Sequence, residues 1–89
     1  MTAETTVDRM RQQLAALNPS TLTIRDDSRH HAGHAGAAEG GGHYQLTIVA
    51  EAFRGVPSLA RHRMIHEALG PLMHSEIHAL SIKASTPLP

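Results

Sequence analysis

The sequence of 89 residues contains no cysteine and no tryptophan, and it has only one tyrosine and one phenylalanine. Without cysteine, the chain cannot form disulfides, offer a thiolate to a metal or use a cysteine nucleophile. Scarce aromatic side chains disfavour binding of single-stranded nucleic acid by base stacking. Basic and acidic residues number eight each, so the zero formal charge also disfavours a strongly electrostatic nucleic-acid binder.

Long hydrophobic segments are missing as well. No apolar run approaches the roughly 20 residues that span a bilayer. The N-terminus shows no apolar signal segment. We therefore expect a cytoplasmic protein with no membrane association, and a length of 89 residues predicts one small domain with a modest core.

Histidine is abundant, with eight copies. It is a common metal ligand and it titrates near neutral pH. The first group lies in or beside a glycine-rich stretch and the second lies in regularly patterned segments; the groups are His30, His31, His34 and His43, then His62, His66, His74 and His78. Because the chain has no thiolate, any metal site in it must use imidazole, and sulfur ligands must come from a partner.

Three helices are predicted from apolar residues at helical spacing. The predicted ranges are about 4–17, 58–69 and 72–75. Thr5 or Thr6 is the expected N-cap of the first helix, and Ser58 is the expected N-cap of the second. The apolar faces consist of Val7, Met10, Leu14 and Leu17 in the first helix, and of Leu59, Ala60, Met64, Ile65, Ala68 and Leu69 in the second.

Three strands are predicted from alternating polar and apolar residues, over about 22–25, 44–49 and 77–85. Residues 28–42 contain five of the seven glycines and predict a flexible loop, and 53–57 predicts a turn. The first two strands then form an antiparallel hairpin, and a helical crossover makes the third strand parallel to the second. The predicted class is α+β, ordered α-β-β-α-(α)-β, with helices on one face of a three-stranded mixed sheet.

The residue pattern leaves the role of the histidines open. His78 is in phase with Leu80 and Ile82, which favours a partly buried, hydrogen-bonded histidine over a metal ligand. His31 and His34 bring two imidazoles together on the flexible loop, but most metal sites need three or four ligands. A solvated polar loop is therefore the favoured interpretation, and a stand-alone divalent-metal site through His31 and His34 is a weaker alternative.

The only basic cluster comprises Arg61, His62 and Arg63. The two arginines point about 200° apart on a helix, which favours an ordinary solvated face. His62 and His66 share a face and suit a zinc pair, but the His-Glu-x-x-His motif is absent. The sequence also lacks a Walker phosphate loop and a Gly-x-Ser-x-Gly nucleophile turn, so we expect a protein without enzymatic activity.

Four segments, in the same order along the chain, resemble the BolA-like family. They are Asp26-Asp27-Ser28 with His31 to His34, then His43 to Gly55, Leu59 to Ile65, and His78 to Ala84. Together these segments cover most of the chain. The resemblance implies a single BolA-like domain over 1–89, a type II KH-like fold, and a flexible Gly/His-rich loop at 28–42.

The resemblance also implies a partner and a cofactor. Members of the family pair with monothiol glutaredoxins that carry a Cys-Gly-Phe-Ser site, and the pair holds a [2Fe-2S] cluster together with glutathione. The implied histidine ligand at the start of the last strand is His78, and the second ligand is His31 or His34 in the loop. We expect that the protein folds without the cluster and is a monomer or weak homodimer when free.

A DNA-binding transcriptional regulator with a KH-like fold is the alternative that the resemblance implies. The helix after the turn then makes the contacts, which assigns Arg61, His62 and Arg63 to a nucleic-acid or partner surface. The zero net charge and the scarce aromatic residues count against this alternative.

Overall fold

The computed structural model describes residues 5–27 and 42–88 and contains a three-stranded mixed sheet. The strands are β1 (Thr21–Asp26), β2 (Gly42–Val49) and β3 (Ile77–Ser85). β2 lies in the centre, antiparallel to β1 and parallel to β3, which confirms the predicted α+β class and strand pairing. Residues 28–41 of the predicted Gly/His-rich loop lie outside the described residues.

The helices are α1 (Thr6–Leu14), α2 (Ser58–Leu69) and α3 (Leu72–Ser75). Two short 3-10 turns, Ala15–Leu17 and Glu51–Phe53, follow α1 and β2. Across residues 5–27 and 42–88, none of the helices has both the length and the apolar character needed to cross a membrane.

Helix α1 begins at Thr5 with a capping box. The Thr5 hydroxyl accepts the Asp8 N–H, and the Asp8 carboxylate accepts the Thr5 N–H, each at 3.1 Å. The expected Ser58 cap of α2 is wrong. Pro57 takes the extended N-cap conformation, with φ −64° and ψ 157°, and Ser58 is the first helical residue.

The hydrophobic core lies between the helices and one face of the sheet. It consists of Met10, Leu14, Tyr44, Leu46, Ile48, Ala50, Phe53, Ile65, Leu69, Leu72 and Ile77. Two sequence expectations differ from this core. Phe53, predicted in a turn, is fully buried, whereas Leu59 is 65% exposed because it lies about 120° around α2 from Ile65.

Each outer strand is contacted at a backbone carbonyl by an arginine from a helix. Arg11 of α1 donates to the Leu22 carbonyl of β1 at 3.2 Å. Arg61 of α2 donates to the Ala84 carbonyl of β3 at 3.0 Å, and to the Val56 carbonyl at 2.7 Å. These bonds tie the helices to the sheet and occupy acceptors that an unprotected edge strand presents to other chains.

Candidate metal-binding site at His43 and His78

His78 lies at an irregularity in the ladder between β2 and β3. Gly42 pairs with Ile77 and His43 pairs with Ala79, so His78 is an extra residue in β3. An extra residue of this kind is a β-bulge, a feature that redirects side chains and is over-represented next to functional sites.

The bulge changes the face to which His78 belongs. Ile77 is 5% exposed, and Leu80 and Ile82 are half-buried against the core, whereas His78 and Ala79 are both exposed. The expectation that His78 shares the face of Leu80 and Ile82 is therefore wrong, because the alternation of β3 is interrupted between Ile77 and Ala79. His78 is an exposed imidazole, not a partly buried one.

His43 brings a second imidazole to the same place. Its neighbours Gly42 and Tyr44 on β2 are buried, so the half-buried His43 side chain projects from the opposite face of the sheet. The ring centroids of His43 and His78 are 5.2 Å apart, with a 35° angle between the ring planes. His43 was not among the predicted ligands. Alternation with Tyr44 predicts the face of the sheet on which His43 lies, but its contact with His78 depends on the bulge.

Glu76 supports the chain that enters the bulge. Its carboxylate accepts hydrogen bonds from the Thr6 hydroxyl at 2.8 Å and from Arg9 Nε at 3.1 Å, and it also contacts Arg9 Nη2. The Arg9 guanidinium, with a smaller contribution from the Thr6 hydroxyl, holds the pKa of Glu76 below its usual value. Glu76 is therefore a carboxylate at neutral pH, and α1 is joined to the start of β3.

Asp27 lies on the other side of His43, at the end of β1. Its backbone N–H donates to the His43 carbonyl at 2.7 Å. Its carboxylate accepts from Gln45 Nε2 at 2.6 Å and pairs with Arg25 Nε at 2.7 Å. These contacts hold the end of β1 and the first residues of β2 in register around His43.

The arrangement provides nitrogen ligands but not a complete metal site. Within the described ranges, no group of three or more histidine, aspartate or glutamate side chains is arranged to hold a metal ion. His43 and His78 form a pair of neighbouring imidazoles, and neutral imidazole is a good ligand for transition metals. The predicted loop ligands His31 and His34 lie outside the described residues.

The predicted nucleic-acid or partner contacts have three different environments. Arg61 donates to two backbone carbonyls, and its guanidinium carbon lies 5.9 Å from the centroid of the Phe53 ring. His62 is half-buried and Arg63 is exposed. Arg61 thus has a structural role already, and of the three only Arg63 is exposed.

Residues 14–88 of the chain match the model of a protein family described as BolA-like protein. BolA-like protein 1 of Mus musculus is 40% identical over 72 residues, which cover 81% of this chain and 50% of that protein. The DNA-binding transcriptional regulator BolA of Escherichia coli is 32% identical over 80 residues, covering 89% and 73%. The solved structure of BolA1 from Arabidopsis thaliana has a TM-score of 0.82 and 37% identity, covering 97% and 96%.

The chain spans about half the length of the curated mammalian relatives that it matches. The family match nevertheless runs from the end of α1 through β3 and includes both His43 and His78. It therefore covers the whole sheet and the imidazole pair. On this evidence, the chain belongs to the BolA-like family.

Proposed function

We propose that this chain is a non-enzymatic iron–sulfur accessory protein. In this role it pairs with a monothiol glutaredoxin that carries a Cys-Gly-Phe-Ser site, and it supplies histidine ligands to a shared [2Fe-2S] cluster. The observation that carries the proposal is the pair of neighbouring imidazoles, His43 and His78, at a bulge in a chain that has no cysteine.

The ligand chemistry of the pair fits such a cluster. Thiolates usually hold a [2Fe-2S] cluster, and two imidazoles can replace two of them on one iron. The glutaredoxin cysteine and glutathione supply the sulfur that this chain lacks. When bound, such a cluster has a potential and a stability that depend on its nitrogen ligands, and protonation of those nitrogens favours its release.

His78 is the ligand that the structure supports best, because the bulge exposes it at a defined position on β3. His43 is a candidate for the second ligand, because its ring is the immediate neighbour of His78. His31 and His34, implied by the family resemblance, remain predictions for the same role.

Reconstitution tests the proposal. The protein is mixed anaerobically with a monothiol glutaredoxin, iron, sulfide and glutathione, and the cluster is followed by visible circular dichroism and by EPR after reduction. We expect His78→Ala to abolish the spectrum of the mixed complex or to change it. His43→Ala, His31→Ala and His34→Ala in the same series identify the second ligand.

His66→Ala is the matched control, since His66 is an exposed histidine on α2. It should leave the cluster spectrum unchanged. Identical spectra and cluster lifetimes for the wild-type protein and His78→Ala would contradict the assignment of His78.

The name of the Escherichia coli relative supports DNA binding as a second candidate function. Under this alternative, we expect Arg63→Ala to weaken duplex binding and to make it less sensitive to salt, because each lost phosphate contact lowers the salt slope by about one. Fluorescence anisotropy at several salt concentrations measures both effects. Absence of binding at low salt would exclude this candidate.

A further inference from the structure

Glu76 connects three elements at the imidazole pair. We infer that Glu76 is a positioning residue, which sets the relative placement of the His43 and His78 rings by clamping α1 to the start of β3. The consequence for metal binding rests on the proposed function. The consequence for ring geometry is independent of the proposed function, and it is testable in the free protein.

The clamp uses both oxygens of the carboxylate. Oε1 accepts the Thr6 hydroxyl at 2.8 Å and contacts Arg9 Nη2, and Oε2 accepts Arg9 Nε at 3.1 Å. A two-point contact between guanidinium and carboxylate restricts direction as well as distance. The side chains of Arg9 and Glu76 are 38% and 25% exposed, so α1 partly shields the contact from water.

The backbone of Glu76 forms hydrogen bonds with β2 and with α3. Its carbonyl accepts the N–H of Gly42 at 2.9 Å, and Gly42 directly precedes His43. Its own N–H donates to the Leu72 carbonyl of α3 at 3.0 Å. Glu76, which precedes His78 by two positions, therefore contacts α1 through its side chain and the first residue of β2 through its backbone.

A bulge makes such support necessary. The extra residue of a bulge has no ladder partner, so the segments on either side must set its direction. One side of His78 continues into paired β3, and on the other side the ladder has a single pair, Ile77 with Gly42, before Glu76. The Glu76 side chain ties this side to α1, so its removal should loosen the placement of His78 without unfolding the core. A metal site tolerates displacements of only about 0.5 Å, so a small shift is enough to matter.

The first experiment uses the free protein. Nuclear Overhauser effects (NOEs) between the ring protons of His43 and His78 report their separation, and amide spectra report whether the core is folded. We expect Glu76→Ala to weaken the ring-to-ring NOE while core amide shifts stay in place. The exchanged pair, Arg9→Glu with Glu76→Arg, should restore the NOE because it rebuilds the ion pair in reverse.

Glu51→Ala is the matched control, because it removes an ion pair with Arg54 beyond the far end of β2. This control should leave the ring-to-ring NOE intact. An undiminished NOE in Glu76→Ala would overturn the inference, and so would loss of the NOE in the exchanged pair while its core remains folded.

The second experiment adds the glutaredoxin and the cluster. We expect Glu76→Ala to lose the cluster about tenfold faster than the wild-type protein, as is common when a supporting residue is removed from a metal site. If the wild-type protein forms no cluster, the proposed function fails, while the NOE experiment still decides the role of Glu76. An unchanged lifetime in Glu76→Ala would overturn the metal consequence alone.

Discussion

Gly42 is the position at which the structure leaves no room for a side chain. A Cβ atom built there would lie 2.5 Å from Cε2 and Oη of Tyr44, and 2.6 Å from its Cζ. Non-bonded carbon atoms pack about 3.5–4.0 Å apart, so the ring would have to move by about 1 Å. Tyr44 is only 7% exposed, so a displaced ring presses on the surrounding core.

We therefore predict that Gly42→Ala destabilises the protein through this contact. Overpacking of a core typically costs about 1–3 kcal/mol. With a urea m-value of about 2 kcal/mol/M, a loss of that size lowers the unfolding midpoint by about 1 M. Because the chain has one tyrosine and no tryptophan, near-ultraviolet circular dichroism and fluorescence report directly on the Tyr44 ring during the titration.

A double-mutant cycle identifies the cause. Tyr44→Leu removes the ring atoms that the new methyl group would meet, so Gly42→Ala should cost much less in that background. In the Tyr44→Leu background, Gly42→Ala even raises the free energy of unfolding by about 0.4–1 kcal/mol if the backbone tolerates alanine, because alanine makes the unfolded chain less flexible. Far-ultraviolet circular dichroism follows unfolding in the absence of the tyrosine. Equal penalties in the two backgrounds would refute the steric explanation.

Three further substitutions test the core, the sheet edge and the first helix. Phe53→Ala should lower the free energy of unfolding by about 3–5 kcal/mol, measured by urea titration, because it empties a fully buried site; a loss below 1 kcal/mol would contradict this burial. Arg61→Met should promote self-association in light scattering, because it uncovers a carbonyl of the outer strand β3, whereas Arg63→Met, on the exposed side of the same helix, should not. Thr5→Ala should cost about 1 kcal/mol by removing the cap of α1. A separate bond, from the backbone N–H of Thr5 to the Asp8 carboxylate, lowers the pKa of Asp8, so the stabilisation from that bond is present above the unfolded pKa of about 3.9 and is lost as the pH falls through the folded value. Thr5→Ala keeps this backbone N–H, so on acidification the urea midpoints of wild type and Thr5→Ala should fall together and stay separated.

Local signals in the sequence predict much of the fold. The limits of α2 and β3 agree with prediction. Strong signals flank α2 in particular, with Pro57 before the helix and Gly70 with Pro71 after it. In β2, period-two alternation places Tyr44, Leu46 and Ile48 in the core. These features depend on neighbouring residues, and a single sequence carries that information.

Features that depend on tertiary contact were not predictable in the same way. The burial of Phe53 depends on how the 3-10 turn after β2 folds beneath Arg61, and nothing in the local pattern shows it. Three glycines precede His43 in the sequence, but only the position of the Tyr44 ring shows why Gly42 must lack a side chain. The exposure of Leu59 depends on which side of α2 faces the sheet.

The candidate site combines both kinds of information. Period-two alternation assigns a side chain to a face of the sheet only while the ladder is regular, and one extra residue reverses the assignment. In β3 the extra residue is His78 itself, so the pattern that correctly placed Leu80 and Ile82 placed His78 on the wrong face. The contact with His43 then depends on strand register. The support from α1 joins Arg9 to Glu76, which are 67 residues apart in the chain. The break itself exposes the His78 imidazole, because an uninterrupted alternation would place it on the core-facing side with Leu80 and Ile82.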